Sequence, residues 1–455
     1  MPADAVRRPP GPRAPYPGAH LRAFARDPLG FLDGLRRAHG DVARFRMAGR
    51  EMVLVSHLDV VRDLLVTEQR RFGRGYRYRT LKLLLGEGLL TSEGAFHLRQ
   101  RRLAQPAFHR DRVAGYARAM VGAAERWDAR WRPLAGTTVD VAEEMGALAL
   151  AIVGETLFGR DVTRGPGGVA DAVAQALDDA LHAATPAFAA LGRWAVHLPI
   201  PAARRFRRAR AELDAVIYGL IAERRRTGGG DDLLSLLLEA TDDEGDGAGA
   251  RMTDLQLRDE AMTLFLAGHE TTANALAWTW YLLATHPAVE ARLLASLDEA
   301  LGGRTPAFAD VPRLGYARQV LHEALRLYPP AYALGRVALE EVTLGGFRIP
   351  AGAGVLASQW VTHRDPRWWP EPDRFDPDRW APDAAAGRHR FAYFPFGAGT
   401  RVCVGEQFAW TEALLVLATL APRWRLALAP GTRVAPQPII TLRPRGGIPM
   451  TLHPR

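Results

Sequence analysis

A chain of 455 residues with 48% hydrophobic and 24% charged residues has the balance of a globular protein with a sizeable core. Its single cysteine excludes a disulfide framework, a four-cysteine zinc site and a cysteine-held iron–sulfur cluster, and it suits a reducing compartment, taken here as the cytoplasm. The net charge of +9 invites a nucleic-acid reading, but Lys82 is the only lysine and the arginines are scattered rather than striped, as GC-rich codon usage produces, so no nucleic-acid partner is expected.

In chain order, residues 1–18 (MPADAVRRPPGPRAPYPG) read as a proline-rich extended arm; they carry arginines but no apolar stretch, so they do not form a secretory signal. DVARFRM and EMVLVS, hinged at Gly49-Arg50, predict a hairpin. From about Val113 to Leu301 the pattern is mostly helical, broken at GPGG, TGGGDD and TDDEGDGAG. The acidic stretch at 242–248 lacks EF-hand ligand spacing and reads as a plain surface loop. RRFRRAR (204–210) reads as a solvated helix face, with a peripheral membrane contact as its rival. No window of 18 apolar residues is free of charge, so no span is expected. Irregular proline-rich chain covers 362–396, short strands fall near 342–358 and at the C-terminus, and one more helix starts near 403. The sum is one mainly α domain with small β-sheets, residues 19–455.

Two segments do not fit plain packing. A helix opens at Thr253 with Gln256 three residues on, a capping box, and runs to Pro287. Apolar on most faces, it must cross the protein's middle, yet its centre reads AGHETT (267–272). A glycine weakens a helix there, and Glu270 and Thr271 are costly to bury without partners, so this stretch predicts space for a ligand and a route for protons. The other segment is FPFGAGTRVCVG (394–405), which holds the only cysteine. A dinucleotide loop fails because Val402 stands where the third glycine belongs. A nucleophilic cysteine with one of 13 histidines remains open, as does a metal thiolate held near a helix N-terminus, with Gly397, Gly399 and Gly405 making room for a flat macrocycle and Arg401 facing its carboxylates.

FGAGTRVCVG resembles the haem-binding loop of the cytochrome P-450 family, F-G-x-G-x-R-x-C-x-G, at every fixed position. AGHETT is similar to that family's oxygen-activating helix, Glu323 and Arg326 in VLHEALRLYPP to its E-x-x-R pair, and Pro372-Asp373-Arg374-Phe375 to its meander. The resemblance spans nearly the whole chain and implies the P-450 fold, with haem b between the long helix and the cysteine loop. It implies Cys403 as axial ligand of the iron, Phe396 beside the sulfur, and Ala267 and Gly268 against the haem. Glu270 and Thr271 would supply protons for oxygen activation. Arg401, Arg336, His97 and Arg101 would meet the propionates, although the family often has Trp where His97 stands. Glu323, Arg326 and Arg374 would form a buried ion network.

The implied reaction is mono-oxygenation with O2 as co-substrate and NAD(P)H acting through a separate ferredoxin or flavodoxin and its reductase, no fused reductase being expected. A peroxide-using haem-thiolate hydroxylase and a non-enzymatic haem sensor are the alternatives. By family position the pocket roof comes from 74–90, the helices around 170–200, and Ala331, Tyr332, Ala333 and Leu334. That lining is mainly apolar and predicts a lipophilic substrate: a carotenoid, fatty acid, or other terpenoid or polyketide. Arg50 or the YRYR run (76–79) could hold a carboxylate, with soluble surface as the plainer reading.

Overall fold

The computed structural model describes residues 7–159, 196–242 and 249–455, and it is mainly helical with small sheets. The chain divides into two compact units, each drawn from three stretches of sequence: 1–79, 325–403 and 438–442 in the first, and 80–324, 404–437 and 443–455 in the second.

In the first unit a five-stranded sheet runs in the order Val42–Met47, Arg50–Val55, Gly354–Ala357, Leu334–Ala338, Phe72–Arg74. The expected hairpin is its edge, antiparallel from Val42 opposite Val55 to Met47 opposite Arg50. Its turn falls on Ala48 (φ 49°) and Gly49 (φ 78°), one residue earlier than the expected hinge, because a two-residue turn between right-twisted strands needs positive φ at both centres. Strict alternation loads both faces. Val42, Val53 and Val55 enter one apolar cluster with Leu64, Trp369 and Phe394, while Ala43, Phe45 and Leu54 enter another with Leu32, Leu35 and Val361. The N-terminal arm is fastened by its backbone, through Arg44 N–H to Pro10 O at 2.8 Å and Arg348 N–H to Arg7 O at 3.0 Å.

The second unit is built on the helix Asp254–Thr285, whose 32 residues span about 48 Å at ~1.5 Å per residue. The capping box is present in both directions, Thr253 Oγ1 accepting from Gln256 N–H and Gln256 Oε1 from Thr253 N–H. The helix packs against Val141–Phe158, Pro201–Thr227 and Glu406–Leu420, which is why its apolar residues are not confined to one stripe. A three-stranded sheet (Trp424–Leu428, Pro449–Pro454, Thr138–Asp140) adjoins them. Glu144 takes both the Trp127 and Trp131 indole N–H groups, at 2.9 and 2.8 Å, so this buried carboxylate is hydrogen-bonded.

The arginine run lies on the helix Pro201–Thr227, with Phe206 buried and Arg204, Arg205, Arg207 and Arg208 exposed, a solvated face. The break at GPGG and most of the 170–200 stretch lie outside the described residues, as do residues 243–248. Asp242 corrects the plain-surface reading at the start of the acidic loop. It is buried and bonds Arg99 at 3.3 Å and Arg102 at 3.1 Å, fastening the helix Gly94–Ala104.

Candidate active site

The cysteine loop belongs to the first unit up to Cys403, which is exposed. Backbone bonds set its shape. Gly397 N–H donates to Phe394 O at 3.0 Å, Val402 N–H to Gly399 O at 3.1 Å, and Cys403 N–H to Phe396 O at 2.9 Å. Gly397 (φ 72°) and Gly399 (φ 69°) hold the left-handed conformations that these turns require. Gly399 has a second reason to lack a side chain, since a Cβ there would lie 2.1 Å from Leu65 O. The macrocycle reading of that glycine therefore gives way to a close backbone approach. Gly405, two residues on, keeps a negative φ (−90°) and is the N-cap of the helix Glu406–Leu420.

Arg336 tests whether this unit suits a group bearing carboxylates. It lies on the strand Leu334–Ala338 in register with Arg74, two guanidiniums facing across one antiparallel pair. Arg336 is buried, and its only hydrogen bond among the described residues goes to Gly335 O at 3.0 Å; no carboxylate pairs with it. Burial pulls its pKa down to about 10, with Arg74 pulling the same way and Tyr78 opposing. A buried cation without an anion is costly, so Arg336 suits an anionic arm such as a haem propionate. Arg401 ends a short 3-10 turn in the cysteine loop and is half-buried, as is Phe396. An exposed thiol on a glycine loop and a buried guanidinium lacking an acid, in one unit, fit the haem that the motifs imply.

Arg326 and Glu323 are each fully buried. Arg326 donates to three backbone carbonyls, those of His363 (2.8 Å), Pro372 (2.6 Å) and Arg374 (3.1 Å). Arg374 itself corrects the ion-network expectation. It offers its carbonyl, while its guanidinium reaches the surface and pairs with Glu371 at 3.1 Å. Tyr332 is corrected too. Its ring is buried with Leu29 and Leu442, and its hydroxyl accepts from Arg77 at 2.7 Å and donates to Ile439 O at 3.1 Å, so it braces the core rather than meeting substrate. Ala331, Ala333 and Leu334 stay half-buried, and Leu334 Cδ1 lies 3.4 Å from where a Cβ on Gly397 would sit. Arg50 stacks on the Tyr76 ring at 4.0 Å and Arg79 on the same ring at 5.0 Å, both exposed.

In the second unit the centre of the long helix carries the acid–alcohol pair. Glu270 is buried, and its Oε1 accepts from Arg443 Nε at 2.6 Å. Thr271 Oγ1 donates to Ala267 O at 2.7 Å, a back-bond that bends helices and leaves the hydroxyl's lone pairs to accept. Ala267 and Gly268 are half-buried, and Gly268 packs closely on the neighbouring helix, a Cβ there lying 3.2 Å from Val153 Cγ2. His97 and Arg101 share a face of the helix Gly94–Ala104; His97 is buried with Nδ1 3.3 Å from Ser92 Oγ, and Arg101 is half-buried.

Sequence reasoning missed three groups. Arg443 belongs to none of the motifs, and its bond to Glu270 joins residues 173 apart. Glu412 is fully buried on Glu406–Leu420, and burial holds it well above the usual carboxylate range against a weaker pull from the Thr272 hydroxyl. Glu260, also fully buried, accepts from Leu89 N–H at 3.0 Å and Gln100 Nε2 at 3.2 Å, while Asp259 takes Glu87 N–H at 2.8 Å. These two carboxylates, on successive residues of the long helix, clamp the segment expected to roof the pocket. A polar pair near the start of a capped helix was the available signal.

Burial pushes Glu260 up to about 8 from 4.5, outweighing its two hydrogen bonds. A raised pKa means the folded protein binds the extra proton between those values. Its stability should therefore fall as pH rises from 4.5 towards about 8, by roughly 1.4 kcal/mol per unit from this group, and then level off. Glu260→Gln should flatten that slope in urea unfolding midpoints measured across the window.

A family model described as Cytochrome P450 matches residues 9–448. The chain is 42% identical over 441 residues to "Cyclooctatin synthase" of Streptomyces melanosporofaciens, covering 96% of this chain and 93% of that protein. It is 40% identical over 437 residues to "Cyclooctat-9-en-7-ol 5-monooxygenase" of the same organism, with the same coverage of 96% and 93%. To "Pentalenene oxygenase" of Streptomyces avermitilis it is 36% identical, covering 93% and 92%. Among solved structures, "Crystal structure of cytochrome P450DA heme domain" superposes with a TM-score of 0.88 at 30% identity, covering 99% of this chain and 98% of that one.

Proposed function

The chain belongs to the cytochrome P450 family, and from that premise we propose that it oxygenates a terpenoid, with Cys403 as axial thiolate of the haem iron. As a family member it is an oxidoreductase of the monooxygenase class that uses haem iron and O2. The observation that carries the thiolate assignment is the glycine loop that presents an exposed Cys403 in a unit whose buried Arg336 lacks an acid. The terpenoid class rests on the two relatives named as a cyclooctat-9-en-7-ol monooxygenase and a pentalenene oxygenase, and it selects among the carotenoid, fatty-acid, other terpenoid and polyketide expectations.

Haem, when bound, supplies the oxygen-activation chemistry. Cys403 would hold it, with Arg336 and Arg401 of the same unit as propionate donors. Arg443 fixes the orientation of the Glu270 carboxylate, and Thr271 Oγ1 keeps lone pairs to accept, so these two residues would serve proton delivery. Ala331, Ala333 and Leu334 offer small apolar contacts and no acid for an amine, which suits a hydrocarbon scaffold. Electrons would come from a separate ferredoxin or flavodoxin with an NAD(P)H-dependent reductase.

The test is turnover of a panel of cyclic terpenoids and long-chain fatty acids by haem-loaded protein. Surrogate carriers with NADPH are compared with peroxide alone. Terpenoid hydroxylation with carriers is the expected result. Peroxide matching the carriers would point to a peroxide-using hydroxylase, and substrate-free spectra without turnover to a sensor. Thr271→Ala and Glu270→Gln should each lower product formed per NADPH by roughly 10²-fold, the usual worth of a placed acid–base group, and raise peroxide release, with the reduced carbon-monoxide spectrum unchanged. Turnover with an acidic ferredoxin should fall steeply with salt, and a flat profile would remove electrostatic docking.

A further inference from the structure

His363 is unclaimed by the motifs above, yet it joins two of them. It is fully buried at the start of the irregular chain, and its carbonyl takes Arg326 Nη1 at 2.8 Å. Its ring Nε2 accepts from Phe394 N–H at 3.0 Å, the first residue of FPFGAGTRVCVG. An Nε2 that accepts must be unprotonated, so the neutral ring carries its proton on Nδ1. Burial, with Arg326 and Arg364 close by, holds the imidazole pKa well below its ordinary value, against a weaker pull from the Arg326 and Leu325 carbonyls. The rings of Tyr393 and Phe394 contact it at centroid distances of 5.1 and 5.3 Å.

Beyond Phe394 the bonding continues. Phe394 O takes Gly397 N–H at 3.0 Å, and Phe396 O takes Cys403 N–H at 2.9 Å. Trp369 Nε1 holds Ala392, two residues before Phe394, through its carbonyl at 3.2 Å. Among the described residues no other acceptor meets the Phe394 N–H, which is buried. Every member of this chain lies in the first unit.

We propose that His363 is a positioning residue for the reaction: it carries the hold of Arg326 through its imidazole to Phe394 and so sets the geometry of the loop that presents Cys403. The proposal rests on Cys403 being the iron's ligand. It gives the buried arginine a concrete line of action on the sulfur, by way of one ring and two backbone turns.

His363→Leu keeps bulk and removes the acceptor, whereas His363→Gln places an oxygen near the Nε2 position. Amide hydrogen exchange in the haem-free protein should accelerate about tenfold across 391–405 in His363→Leu, with the hairpin at 42–55 unchanged, and return towards the parent in His363→Gln. In haem-loaded protein the fraction of the reduced carbon-monoxide complex with a thiolate-type spectrum should drop, and the iron's reduction potential should shift, in the leucine variant and recover in the glutamine variant. Where His363→Leu does not fold, His363→Asn, whose acceptor falls short of Phe394, takes its place. Parent-like exchange, spectrum and potential in the variant lacking the acceptor would overturn the proposal, as would a glutamine variant no better than leucine. Cys403→Ala separates the two readings. If it keeps the thiolate-type spectrum the ligand assignment fails, and if it loses that spectrum while His363→Leu is parent-like only the His363 role fails.

Discussion

Cys403→Ala is expected to fold, to bind haem weakly, and to show no thiolate-type band in the reduced carbon-monoxide spectrum, with oxygenation at background. The side chain is exposed and the loop is closed by backbone atoms, including the Cys403 N–H bond to Phe396 O at 2.9 Å, which alanine retains. Removing an exposed sulfur from such a loop should change the stability of the haem-free protein by no more than about 0.5 kcal/mol. Loss of activity with stability preserved would assign the residue to chemistry, because the Cys403 thiolate would hold the haem iron and supply it with electron density. Cys403→Ser keeps the size of the side chain but offers a harder, more weakly donating oxygen, and should also lose the band. Urea unfolding of the haem-free variants and spectra of the loaded ones make both measurements. An unchanged spectrum in the alanine variant would falsify the ligand assignment outright.

What could be read in advance was whatever is encoded within a few residues. The Thr253–Gln256 box needs only a helix start, so it formed as written, and the hairpin at 42–55 followed from alternation and a tight turn. FGAGTRVCVG announced its chemistry because its special backbone positions and its thiol are contiguous. Partners far apart in the chain were hidden. Nothing near Glu270 indicates that Arg443 will reach it, because that bond depends on where the chain's end is placed by its sheet. Arg374 was matched by its motif as a cation, yet it serves Arg326 through its carbonyl, a contact that any residue with the same backbone would make. Tyr332 follows an apolar turn expected to line the pocket, but its hydroxyl found Arg77 and Ile439, and an aromatic ring with both ends satisfied is better placed in a core. In each case side-chain type was legible while direction was a product of topology.

Arg326→Leu should be the most damaging substitution for the fold. The guanidinium is fully buried, donates to the carbonyls of His363, Pro372 and Arg374, and lies 5.0 Å above the Trp369 ring. Leucine fills part of the volume but leaves the His363 carbonyl buried without its donor and takes the donor from two part-buried carbonyls, so a loss of about 3 kcal/mol is expected. Stability of a domain is only about 5–15 kcal/mol, so much of the haem-free chain should then be unfolded or aggregated on expression. Arg326→Lys should not rescue it. A planar fork bonds carbonyls in several directions at once, whereas one ammonium on a flexible stem cannot span three of them and also stack on the indole. Arg374→Ala provides the control, because its exposed guanidinium pairs with Glu371 while its carbonyl stays in place, and it should leave the urea midpoint nearly unchanged. If Arg374→Ala proved as destructive as Arg326→Leu, the Arg374 side chain and not its carbonyl would be holding the meander, and the geometry of this network would have to be redrawn.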